Sequence, residues 1–388
     1  PYVDTQNGFI KNTNAGLQYS NKWNEKQNLN VSPKFNKQIY TNNNSRLSQS
    51  QVGDTQLNVD ESTVTNVNRS NFKLKAIYDV KLDSVNSLKI TANSNFYDTE
   101  SDEFTNGTTT GSDGILKNKQ QRAFTTNSDK AVLFTSVLFK HKFAKPRRTF
   151  TVNSSWNMMN TNSNNFLKSS NESYVNGVFD TKNEIDQNKI GDKTTKNFSA
   201  SFSYSEPIAK QFSLQFSYQI AFDKGKNNYF TYDYSANTGQ YDQLVASLSN
   251  EFDQAIITHR PNLKLSYNAK KINYSIGSGF GFTSFDLLDK TMNKEYKRSY
   301  TNFFPSASFS YKYKSNSNLR VNYYGRTIQP TLDQLQPLRN NQDFFNQTLG
   351  NPDLKQSFNN RIEIFQSSYD MLTETQFYQG IYFNTTTN

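Results

Sequence analysis

The chain has 388 residues, no cysteine and a formal net charge of +10, with only 34% apolar residues and a mean hydropathy of −0.83. No run of about 18 apolar residues occurs, which excludes a helical membrane protein. The missing cysteines exclude a disulfide scaffold and thiolate metal sites. Disorder is also disfavoured, because disordered chains are poor in aromatics and this one has 31 Phe and 23 Tyr.

What fits is a sheet in which every second residue is apolar and the other face is wet. The first such run is "AGLQYSNKW", leading into a short turn near Trp23–Gln27. In "NFKLKAIYDVKLD", Phe72, Leu74, Ala76, Tyr78, Val80 and Leu82 share one face, against Lys73, Lys75, Asp79 and Lys81, with Ile77 the exception. "TFTVNSSWNM" places Phe150, Val152, Trp156 and Met158 together. "NFSASFSYS" sets Phe198, Ala200, Phe202 and Tyr204 against serines. "FSLQFSYQIAF" alternates Phe212, Leu214, Phe216, Tyr218, Ile220 and Phe222 with polar residues and Ala221. No helix gathers that set onto one side. "FFPSASFSYKY" and "QFYQGIYF" repeat the pattern towards the end of the chain.

Connection lengths separate a membrane barrel from a sandwich. Short turns fall near residues 23–27, 83–86, 144–147, 206–210, 269–271, 314–317 and 370–373. Long polar loops are expected near 41–70, 98–122, 160–195, 223–259, 287–300 and 326–357. Short and long alternate throughout, the pattern of bacterial outer-membrane barrels. The expected class is therefore all-β: an antiparallel transmembrane β-barrel in the bacterial outer membrane, contacting lipid and lipopolysaccharide. About fourteen strands in seven hairpins are expected over residues 1–388, read as one partial barrel domain. No secretory signal stands at Pro1, so a processed or truncated start is expected, as are further strands outside the sequence.

The last long connection carries "RTIQPTLDQLQPL" and, further on, "GNPDLKQSFNNRIEI". Its three prolines fix φ, and Gly350-Asn351 is expected to use left-handed backbone. The expectation is a rigid loop folding over the barrel mouth, structural in role and open to ligand contact. The stretch resembles the loop signature of TonB-dependent outer-membrane receptors through Arg326, Pro330, Leu332, Leu335, Pro337, Gly350, Asn351, Pro352, Leu354 and Lys355. It departs from that signature in an extra residue before Pro330 and in Gln356-Ser357, where Pro-Glu is usual. "YDVKLDSVNSLKI" is similar to a strand–turn–strand of the related Bacteroidota outer-membrane β-barrel proteins. The resemblance implies a barrel of about 22 strands with a plugged lumen, of which strands 2 to 15 are present. It also implies ligand import, with no cofactor, driven by a periplasmic TonB-type energy transducer. A surface lipoprotein or other outer-membrane subunits stand as further candidate partners. The alternative is a plug-poor barrel serving as a structural subunit of a secretion or protein-insertion complex. A soluble β-rich adhesin or lectin ranks below both.

Other signals are weaker. Gly277, Gly279 and Gly281 in "IGSGFGF" lack the spacing of a nucleotide fingerprint, and are expected to line a lumenal groove that lets a neighbour approach. His141 and His259 are the only histidines and share no metal or triad spacing. Lys140, Lys142, Lys145, Arg147 and Arg148 cluster beside a short turn, which favours anchoring at the membrane interface over nucleic-acid binding. Asp98, Glu100, Asp102 and Glu103 concentrate acid in an expected outer loop. No nucleophile, base or metal set points to an enzyme.

Overall fold

The structure is a computed structural model that describes residues 8–53, 55–341 and 348–387. The strands in chain order are β1 (Gly8–Gly16), β2 (Tyr19–Asn24), β3 (Gln27–Val52), β4 (Thr55–Lys81), β5 (Asn86–Gly111), β6 (Leu116–Lys142), β7 (Thr149–Val175), β8 (Val178–Pro207) and β9 (Phe212–Ser235). Then come β10 (Gln240–Leu244), β11 (Asn250–Asn268), β12 (Ile272–Asp289), β13 (Lys294–Lys314) and β14 (Ser317–Ile328). A one-turn helix, α1 (Leu332–Leu335), and a two-residue ladder of β15 (Arg339–Asn340) with β16 (Thr348–Leu349) lie in the following loop. The strands β17 (Ser357–Asp370) and β18 (Thr375–Thr387) complete the described chain.

Among the described residues one antiparallel sheet runs β1-β3-β4-β5-β6-β7-β8-β9-β11-β12-β13-β14-β17-β18. That path has fourteen positions, as the alternation predicts. β2 continues the line of β1 beside β3, and β10 continues β11 beside β9. All seven short turns fall where the sequence places them. The turn after β4 is built by Asp83, whose Oδ1 accepts from the backbone N–H of Val85 and Asn86 at 2.8 and 2.7 Å.

The long connections are different from expectation. Apart from the short connections between paired strands, the described residues of 41–70, 98–122 and 160–195 are not loops: they are the far halves of strands 26 to 30 residues long. Residues 223–259 and 287–300 are likewise mostly strand. The cause is continuous backbone pairing. The β7–β8 ladder runs from Thr149↔Ser205 to Val175↔Val178 and closes on Asn176-Gly177, both at positive φ (49° and 77°). Positive φ at both central residues is the two-residue hairpin geometry that matches strand twist, and Asn-Gly supplies it at least strain. Polar cross-strand pairs support the far halves. They include Asn118–Asn171 at 2.6 Å, Asn164–Asn188 at 2.8 Å and Thr63–Thr105 at 3.1 Å. The acidic stretch is therefore strand, not loop. Alternation puts Glu103 on the opposite face from Asp98, Glu100 and Asp102. Glu103 there pairs with Arg122 at 2.8 Å.

Near the short turns the two faces separate cleanly. Trp156, Phe198, Phe222 and Ile257 stand opposite one another on four adjacent strands and are all well exposed, Trp156 at 57%. Such a row is expensive in water and natural in hydrocarbon. Aromatics recur beside the short turns, with Trp23 against Tyr78 and Phe143 against Tyr204. These two levels are the interfacial girdles of a membrane-spanning sheet. Paired strand positions share a face. The opposite, lumenal side therefore carries Ser199, Ser201, Ser217, Gln219, Arg260 and Lys264.

Candidate functional site: a loop seated on the lumenal wall

The segment between β14 and β17 is a true loop, and its described parts fold back onto the lumenal face. Thr331 caps α1 in a reciprocal box. Its side chain accepts from the Gln334 N–H, and the Gln334 side chain accepts from the Thr331 N–H at 2.9 Å. Pro337 follows the C-cap Gln336, where the helix can no longer continue. The helix is too short to hold itself. Leu332 and Leu335 anchor it by burial against Phe252, Ile256, Phe285 and Leu287 of β11 and β12, flanked by Tyr296 and Tyr300.

Polar clasps surround that apolar anchor. The Lys193 ammonium on β8 meets both Asp333 oxygens, at 2.8 and 2.6 Å. Asn227 of β9 donates to the Gln336 side chain, which in turn donates to the Asn250 carbonyl at 3.4 Å. Lys189 donates to Asn341, which donates to Gln187 at 3.0 Å. On the far side, Arg298 of β13 donates to the backbone carbonyls of Leu354, at 2.7 Å, and Pro352. The loop thus ties β8, β9, β11, β12 and β13 together.

The motif residues divide by role. Leu335 is fully buried and Leu354 is exposed. Pro330 and Pro352 are half-buried. Arg326 lies on β14 opposite Asn359 and is exposed. Gly350 and Asn351 do not take the expected left-handed backbone, for neither has positive φ. Gly350 is needed for space instead: a Cβ there would lie 1.8 Å from the Gln336 carbonyl oxygen. That contact lets the Asn351 N–H donate to the Gln334 carbonyl at 2.7 Å, joining the two halves of the motif. Asn351 turns the chain itself, its Oδ1 accepting from the Asp353 N–H at 2.8 Å.

Gly277, Gly279 and Gly281 lie below, on the lumenal face of β12 and away from the loop's anchor. A Cβ on Gly281 would meet the Phe304 ring at 2.4 Å, and one on Gly277 the Ser306 hydroxyl at 2.8 Å. Arg260 stacks over the Phe304 ring at 4.2 Å, where the ring's negative face attracts the cation. The basic turn cluster is likewise engaged. Lys145 and Arg148 bind Glu206 at 2.6 and 2.7 Å, and Arg147 donates to three backbone carbonyls of the neighbouring turn. These three side chains stitch adjacent turns together, a role beyond the anchoring expected of them. His141 bonds Asn86 and His259 bonds Tyr218, each at 2.7 Å, far apart in the sheet.

Between the docked loop and β7, β8 and β9 lies a cleft of about 680 Å3. Lys189, Lys193, Tyr229, Arg339 and Gly350 are among its walls. Nothing in the sequence warns of Lys189, which sits in a strand half that reads as loop, whereas Tyr229 belongs to an aromatic cluster near a strand end. Burial pushes the Lys189 ammonium down to about 8 and the Tyr229 phenol up to about 12, because a dry site disfavours the charged form of each.

An antiparallel sheet with one apolar, exposed side near its short turns and one polar side above which a loop docks is the wall of a bacterial outer-membrane β-barrel. The chain belongs to the outer membrane protein beta-barrel family, whose model matches residues 141–388. Among solved structures, the translocator domain of the autotransporter NalP from Neisseria meningitidis is similar at 11% identity and a TM-score of 0.28, over 78% of this chain and 82% of that one. No curated protein matches.

Proposed function

We propose that the chain forms the barrel of a receptor that imports a ligand across the outer membrane, powered from the periplasm by a TonB-type energy transducer. The observation that carries this reading is the seating of the motif loop. The described residues of the stretch that resembles the receptor signature, 330–341 and 348–354, form one docked unit on the lumenal wall and bound a cleft. A loop pinned by one short apolar anchor and a few polar clasps is suited to hold a ligand and then release it. No covalent chemistry is asked of the protein. The work lies in capture at the mouth and passage along the wet face, with a surface lipoprotein or other outer-membrane subunits as further partners.

A density map of the full-length protein, purified in detergent from its native membrane, tests this. The expected result is a globular plug inside the barrel with residues 330–354 above it. An open lumen in a barrel held among other subunits would overturn import and leave a scaffold for secretion or protein insertion.

A further inference from the structure

The cleft beneath the loop has a definite charge. Three cations, Lys189, Lys193 and Arg339, face it against one carboxylate, Asp333, which Lys193 already binds. Lys189 is only 3% exposed, and its one hydrogen-bond partner among the described residues is the neutral Asn341 amide. Asp233, the acid whose field reaches Lys189, is itself bonded by Gln187 at 2.8 Å. An ammonium buried with no directly paired anion among the described residues is costly, and such perturbed groups cluster at functional sites.

A second part of the wall carries the same sign of charge. On β3 and β4, Lys34 stands directly opposite Lys73 on the lumenal face, with Arg69 and Lys75 beside them. Like charges directly opposite in a sheet repel. None of the four makes an ion pair among the described residues, and Lys34, Arg69 and Lys73 line a recess of about 640 Å3. On β11, Arg260 and Lys264 add positive charge to the same face. The acids on that face near the short turns are engaged: Asp79 with Lys89, Glu363 with Arg361, and Asp223 with Asn197.

We propose that the ligand is an oxyanion, a small molecule bearing carboxylate or phosphate groups, held in the cleft by Lys189 and Arg339 above a lumenal wall that favours anions. The inference rests on the import reading for its purpose and on Lys189, Arg339 and the Lys34–Lys73 pair for its chemistry. A cleft of this size suits a compact ligand. Charge lining a passage selects the opposite sign. The hydroxyl groups of Ser163 and Thr161 supply hydrogen bonds around the anion.

Equilibrium binding to the full-length protein in detergent tests this with three probes: citrate, inorganic phosphate and the neutral sugar maltotriose. Citrate or phosphate binding that weakens with salt, against little maltotriose binding, is the expected result. Tighter citrate assigns a carboxylate ligand, and tighter phosphate a phosphorylated one. Lys189→Met is expected to weaken the anion at least tenfold. Arg339→Gln alters an exposed side chain. It is expected to weaken the anion severalfold and guards against a folding defect in the first variant. Equal binding of maltotriose, no binding of either anion, or wild-type affinity in both variants would overturn the proposal. A protein that binds citrate but has no plug would remove import and keep the oxyanion site. One with a plug that binds neither anion would do the reverse.

Discussion

One strand, β8, lives in two solvents. Near its short turn it reads Phe198, Ala200, Phe202, Tyr204 against Ser199, Ser201, Ser203; beyond Asn197 it reads as an almost unbroken polar run to Val178. Both halves pair continuously with β7, residue for residue, over most of their length. The near half is held in register by its surroundings, because a one-residue slip would turn every Phe from lipid into the lumen. The far half has no such guard, since it is polar on both faces. There the register rests on the Asn176-Gly177 turn. Side-chain pairs such as Thr194–Asn160 at 2.9 Å add to it. A sheet can therefore continue past the membrane, but it changes what specifies it.

Substitutions sharpen the contrast between what lipid holds in place and what contacts on the watery side hold. The largest effect is expected at Gly350→Val, where the new Cβ would collide with the Gln336 backbone and expel the loop. Hydrogen exchange should then show residues 331–341 unprotected while the strand ladders stay protected. Leu335→Ala removes the buried anchor. It should destabilise docking by about 2–5 kcal/mol, read by the same exchange experiment. Arginine can then be placed on the outward face of each half of β8, at the exposed Phe202 and Ile190. Phe202→Arg should cost about 2–4 kcal/mol in folding from urea into lipid vesicles, and Ile190→Arg roughly nothing. Equal costs would move the apolar band away from the short turns. The smallest effect concerns the turns. Bonds from Arg148, Lys145 and Tyr204 hold the Glu206 carboxyl down at about 2, against 4.5 ordinarily. A group depressed in this way stabilises the fold above its unfolded value and loses that contribution as pH falls through its folded one. Glu206→Gln should therefore lower thermal stability slightly at neutral pH, and the gap from wild type should close as pH falls from about 5 to about 2.

The sequence makes the near halves legible and hides the far ones, for a physical reason. Burial in lipid writes itself as a period of two, whereas a strand in water on both faces leaves only propensity and pairing. One local signal is present. "YVNGVF", an Asn-Gly flanked by apolar residues, marks a hairpin tip in the middle of a stretch that otherwise reads as loop. The motif loop was legible as an ordered unit through its prolines and its Gly-Asn-Pro. Its seat was not, since Phe252, Phe285 and Leu287 reach it from strands distant in sequence. Nor was the reason for Gly350, because steric need at a crossing depends on a second segment. Lys189 and Arg339 look like any other polar residues until the fold brings their strand and loop together.

The height of the wall has a consequence for access. β8 alone is 30 residues long. At about 3.3 Å of rise per residue, such a strand spans roughly 100 Å. The tilt usual for barrels leaves roughly 75 Å of height, against an apolar band of about 25 Å. The hairpin tip at Asn176-Gly177 then stands far out from the cell, and the wall falls away from it towards the 12-residue β14 that leads into the docked loop. Antibodies, phages and proteases meet the tips first. A molecule approaching the loop therefore meets tall hairpins on one side and, on the other, a low rim made by the 12 to 21 residues of β11 to β14.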